Sequence, residues 1–176
     1  AYAIRSFQLL WELGLLEHLF PDVAAAMNAD ANSVAARVLR LGLEGTDERV
    51  PADKSVTPTF LFAVLLWPSI QQAFTKLQPE QGADLQALLA ACDQVTARQQ
   101  ARVAVPKRFT LPLREIVGLQ PRFAFREGRR ALRLLDHPRF RAAYDFLLLR
   151  AAAGEVDQEL AQWWTDIQGM AVEQRK

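Results

Sequence analysis

SVTPTFLFAVLLWPSIQQAF, running from Ser55 to Phe74, contains the longest apolar run of the chain, the eight residues Phe60 to Trp67. A run apolar on nearly every face belongs to a helix buried on all sides. Thr57 is a side-chain N-cap, and Pro58 stands at the first helical position, where a missing N–H costs nothing. Pro68 is expected to break or kink the helix. Eight residues fall far short of the roughly 20 that cross a bilayer, so the run predicts a core rather than a membrane span.

Helical patterns extend both ways from this centre. Upstream, Phe7, Leu10, Trp11 and Leu15 share a face, Gly14 weakens that helix, and Phe20-Pro21 ends it. Asp30 and Ser33 offer N-caps for a helix through Ala35, Val38 and Leu39, bracketed by Gly42 and Gly45. GTDERVPADKS, residues 45–55, reads as a loop. Downstream, Gln81 to Val105 repeats apolar residues at Leu85, Leu88, Leu89, Cys92 and Val95. Thr110 caps a helix through Leu113, Ile116, Val117 and Gln120. Three helical pieces follow: Pro121 to Leu135, Pro138 to Ala153 and Glu155 to Gln168, with a frayed tail from Gly169. No alternating β-branched run competes. The reading is all-α, an irregular multi-helix bundle of about seven to nine helices.

The chain has 176 residues, 51% hydrophobic and 23% charged, with a net charge of +1. That balance hides a segregation. Arg98 to Arg150 holds 13 Lys/Arg and 4 Asp/Glu, a local charge of +9; the rest carries −8. Such segregation speaks about partners rather than fold. On a helix, Arg122, Arg126, Arg129, Arg130 and Arg133 fall within an arc of about 100°. Phe125, Gly128, Leu132 and Leu135 fall opposite. Lys107, Arg108, Arg114, Arg139 and Arg141 extend the basic patch, with Arg98 and Arg102 beside it.

Two readings of the stripe stand side by side. Aligned arginines repel unless acids pair them, and acids elsewhere in the fold are numerous enough to do so. Alternatively the stripe meets an anionic ligand, for which the guanidinium fork suits phosphate oxygens. Phe109, Phe123 and Phe125 lie among these arginines as core residues or as platforms for bases.

Catalytic signals are sparse. His18 and His137 are far apart and, with one cysteine, form no zinc pattern. His18 reads as a structural histidine and His137 as part of a capping turn. Cys92 reads as core. No GxSxG, P-loop or GxGxxG occurs, and Asp47-Glu48 lie in a polar stretch. No catalytic residue and no metal ligand is assigned. Without a signal-peptide pattern or a membrane span, a cytoplasmic protein is the expectation. The chain opens inside a helical pattern without an initiator Met, which reads as a piece of a longer protein.

REGRRALRLLDHPRFRAAYDFLLLRA, residues 126–151, resembles the C-terminal region of the bacterial poly(A) polymerases, within the tRNA nucleotidyltransferase/poly(A) polymerase superfamily. FQLLWELGLLEHLFPDV (7–23), VTPTFLFAVLLWPSI (56–70), VPKRFTLPLREI (105–116) and Trp163-Trp164 follow the family's order. The resemblance implies a parent enzyme that adds adenylates from ATP to RNA 3′ ends, using magnesium held by carboxylates in a head preceded by none of these residues. It implies that the head and a neck lie outside this chain and act with it in cis. It implies no cofactor here, a helical body over 1–105, and a basic RNA-binding extension over 106–176 packed on that body. The alternatives are the body of a CCA-adding tRNA nucleotidyltransferase and a non-catalytic helical module that binds proteins.

Overall fold

The computed structural model describes residues 2–54, 56–77 and 85–174, with backbone alone for 128–130 and 171–174. In chain order the helices are α1 (Ala3–Glu12), α2 (Leu15–Leu19), α3 (Pro21–Ala29), α4 (Val34–Arg49), α5 (Pro58–Leu77), α6 (Leu85–Gln100) and α7 (Lys107–Leu119). A 3₁₀ turn (Gln120–Ala124) then leads to α8 (Gly128–Leu135), α9 (Phe140–Ala152) and α10 (Gln158–Gln174). No strand occurs among the described residues, and the all-α bundle stands. The expected Gln81–Asp84 start of α6 lies outside the described residues.

Helix α5 is the spine that its apolar run predicts. The Thr57 hydroxyl accepts the Phe60 N–H at 3.3 Å, and Pro58 opens the helix. Pro68 does not break it. The proline removes one ladder hydrogen bond, yet Trp67 and Ile70 on its flanks are wholly buried, and their burial holds the helix together. One continuous core runs from Phe7 through α5, α6 and α7 to Trp164. It includes residues on both sides of the α6–α7 link, Val95 before it and Leu113 after it.

Several boundaries differ from the sequence reading, some through local geometry and one through a distant contact. Gly14, at φ +70, splits the N-terminal pattern into α1 and α2, and Pro21 begins α3. Ser33 caps α4 as expected, accepting from Ala36 N at 3.1 Å. Gly45 to Arg49 continue α4 instead of forming a loop. Asp47 holds this turn in place: its carboxylate accepts the N–H groups of Ala3 and Ile4 at 2.6 and 3.1 Å, capping α1 from another helix. Helix α7 starts three residues before Thr110, whose hydroxyl turns back to the Lys107 carbonyl at 3.4 Å. Helix α10 begins at Gln158 rather than Glu155, which is occupied by a buried partner. It also continues past Gly169 to Gln174, through strong helix formers such as Met170 and Gln174.

Cys92 is buried, and burial pushes its thiol from an ordinary value near 9.0 up to about 12, against the opposing Thr96 hydrogen bond. A pKa raised in the folded chain contributes stability that is whole below pH 9.0 and lost as pH climbs toward 12. The folded protein is therefore expected to resist a thiol reagent at pH 8, labelling only as fast as it unfolds. Rapid labelling without denaturant is the contrary result.

Candidate nucleic-acid interface

The five arginines of the stripe do not share one helix. Residues 120–124 form the 3₁₀ turn, Phe125 and Glu127 are extended, and the α-helix restarts at Gly128. The physical reason lies 41 residues away. The wholly buried Trp164 donates its indole N–H to the Phe123 carbonyl at 2.8 Å. The Phe123 ring is wholly buried too, edge-on to Trp164 at 5.1 Å and beside Phe140 at 6.0 Å. The turn is pinned again at its start. Gln120 donates to the carbonyls of Ile116 and Ala143 at 3.0 and 3.1 Å, and accepts from Arg150 at 3.0 Å. Gly128, the weakest helix former in the stretch after proline, then lets the chain restart in a new phase.

That new phase reassigns the apolar wall. Ala131 and Leu134 are buried, whereas Phe125 and Leu132 are 54% and 49% exposed. Leu135 is half-buried. The break nonetheless gathers basic groups. Arg122, from the 3₁₀ turn, and Arg133, from α8, line the same cleft of about 370 Å³ with Phe125 and Leu134. Arg126 is exposed on the extended link between them. The backbone of α8 carries Arg129 and Arg130 in its first turn.

The basic residues divide into two classes. Arg114 bonds Asp93 at 2.7 Å, Arg139 bonds Glu115 at 3.0 Å, Arg141 meets Asp145 at 3.1 Å, and Arg98 bonds Asp22 at 2.6 Å. The Asp93 hydrogen bond raises the Arg114 pKa further. The salt-bridged reading therefore holds for these four. Among the described residues, Arg122, Arg126, Arg133, Lys107 and Arg108 have no ion pair; all five are exposed, and Arg108 lies over the Phe109 ring at 4.9 Å. Phe109 is half-buried against Phe62, so Phe125 is the exposed ring of the three considered for base stacking.

The histidines lie apart from this surface. His18 is exposed on α2 rather than packed, and His137 accepts the Arg139 N–H at 3.1 Å in the turn before α9. Arg49 lies in the stretch expected as a loop, and α4 brings it 3.9 Å from Asp145. No local pattern marks that meeting. Among the described residues no three His, Cys, Asp or Glu side chains form a group able to hold a metal ion. No helix there is long and apolar enough to cross a membrane.

Residues 80–176 match the family described as the polymerase A arginine-rich C-terminus. Residues 1–27 match the probable RNA- and SrmB-binding site of polymerase A. Poly(A) polymerase I of Escherichia coli O6:H1 is 36% identical over 181 residues, covering 99% of this chain and 38% of that protein. The Salmonella typhi protein of that name is 36% identical over 175 residues, and that of Haemophilus influenzae 34% over 175. The chain spans about two fifths of the length of these relatives, 38% to 39%.

Proposed function

The chain belongs to the polymerase A arginine-rich C-terminal family, and on that premise we propose that it is the RNA-holding region of a bacterial poly(A) polymerase. The parent enzyme adds adenylates from ATP to RNA 3′ ends and so promotes RNA decay. Its magnesium-binding carboxylates belong to a head that acts with this chain in cis. No step of adenylate transfer is assigned to the residues described here. Their task is to keep the RNA 3′ end close to that head.

The observation that carries this reading is the division among the basic residues. Flanking arginines have acidic partners, while Arg122, Arg126 and Arg133 stand exposed without an ion pair among the described residues. Unpaired guanidinium groups held close together repel, and backbone phosphates relieve that repulsion. Arg129 and Arg130 complete the stripe. Lys107 and Arg108 extend it, and Arg114, Arg139 and Arg141 can exchange weak surface pairs for phosphates. In this scheme residues 106–176 meet the RNA and 1–105 form the body behind them. Such contacts position a strand without reading its sequence.

The test is a salt titration of RNA binding by anisotropy. Five phosphate contacts on single-stranded RNA give a log–log slope of roughly −3.5. A flat dependence removes the proposal. Equal titrations with unstructured RNA and tRNA separate it from a CCA-adding role, since tighter binding of tRNA favours the latter.

A further inference from the structure

A second cleft, of about 520 Å³, lies between the end of α4, the start of α5, α7 and α9. This volume is within the range of small-molecule sites. Phe60, Pro112 and Leu148 line it with apolar surface. Arg49, Arg139 and Arg141 stand around it, against a single acid, Asp145, among the described lining residues. Asp145 is mostly covered, with 17% of its side chain exposed, while Arg141 and Arg49 are 72% and 41% exposed.

Asp145 orders these arginines without satisfying them. It meets Arg141 at 3.1 Å and lies 3.9 Å from Arg49. Each guanidinium has five N–H donors in a fixed fork, so most donors of the pair remain for another acceptor. Arg139 is paired with Glu115 at 3.0 Å, so Arg49 and Arg141 share the one carboxylate of Asp145 and leave the cleft with surplus positive charge. An apolar lining beside guanidinium groups is complementary to one nucleotide unit, with its flat base against the former and its phosphate at the latter. Arg139, on the edge of this cleft, is six residues beyond Arg133 in the sequence.

We propose that this cleft takes one unpaired nucleotide of the bound RNA. Its base enters against Phe60, Pro112 and Leu148, and its phosphate is held by Arg49 and Arg141. The proposal rests on the reading of the chain as an RNA-holding region. It adds a site that grips a base to a surface that grips only the backbone.

Gly45 provides the test. It lines the cleft from within α4, and a Cβ built there meets nothing within 4 Å. Gly45→Leu puts a side chain into the space while replacing a poor helix former with a good one, so the fold is not weakened. The full chain is titrated by anisotropy with a short oligoadenylate and with an abasic ribose-phosphate strand of equal length. Gly45→Leu is expected to weaken oligoadenylate binding about tenfold, in line with the loss of one stacked base. Binding of the abasic strand should be unchanged. Arg49→Gln with Arg141→Gln should weaken both strands. Wild-type affinity of Gly45→Leu for oligoadenylate overturns the proposal, as does an equal loss on the abasic strand. Free AMP binding as tightly as the oligonucleotide overturns it too, by making the cleft a site for free nucleotide. If the unaltered chain binds neither strand, the RNA-holding reading itself fails, a result distinct from any effect of Gly45→Leu.

Discussion

Replacing Glu155 with alanine is expected to lower the unfolding free energy by about 3–5 kcal/mol in a urea titration. Arg150 and Glu155 pair at 3.1 Å with only 13% and 16% of their side chains exposed. Burial lowers the Arg150 pKa, and the charge and hydrogen bond of Glu155 oppose that shift. Removing the carboxylate leaves a guanidinium out of water without its counter-ion. The Trp67 indole N–H, which donates to Glu155 at 2.8 Å, loses its acceptor in the same stroke. Arg150 also lies over the Trp67 ring at 5.0 Å and donates to Gln120 at 3.0 Å. The pair therefore ties the spine helix to α9 and to the turn that bears Arg122. Exchanging both residues, as Arg150→Met with Glu155→Leu, should cost much less than the single change, because no charge is then stranded. A single-variant loss below about 1 kcal/mol would place the pair with ordinary surface bridges instead.

That pair also marks where the sequence stops being legible. Arg150 counts toward the basic segment exactly as Arg122 does, because composition does not distinguish a buried arginine from an exposed one. Helix α5 was legible because its evidence is local: a cap, a proline at the first position and an unbroken apolar run. The interruption at residues 125–127 was not, because the Trp164 hydrogen bond reaches Phe123 across 41 residues. Asp47 is a similar case. Its polar neighbours suggest a loop, whereas its carboxylate caps a helix 43 to 44 residues away. A helical projection of Pro121 to Leu135 thus assumes one continuous helix where the fold has a 3₁₀ turn, an extended link and then α8. It puts Phe125 in the core, where the fold leaves it exposed beside Arg122 and Arg133.

The scaffold matters for the largest expected effect on binding. Changing Arg122, Arg126 and Arg133 together to glutamine should move the salt slope from roughly −3.5 to about −1.4, each phosphate contact contributing about −0.7. At 0.1 M salt the same three contacts correspond to about a hundredfold in affinity. Stability should stay within about 0.5 kcal/mol, since the three side chains are exposed and without ion pairs among the described residues. Arg114→Gln is the informative contrast. A phosphate at Arg114 must first displace Asp93 from a 2.7 Å hydrogen bond, so less of its charge is available to RNA and the slope should change less. If Arg114→Gln shifts the slope as much as each of the other three, pairing does not separate the arginines that hold RNA from those that hold the fold. If the triple change instead lowers stability and leaves the slope alone, the exposed arginines serve the fold, and the phosphate surface lies elsewhere.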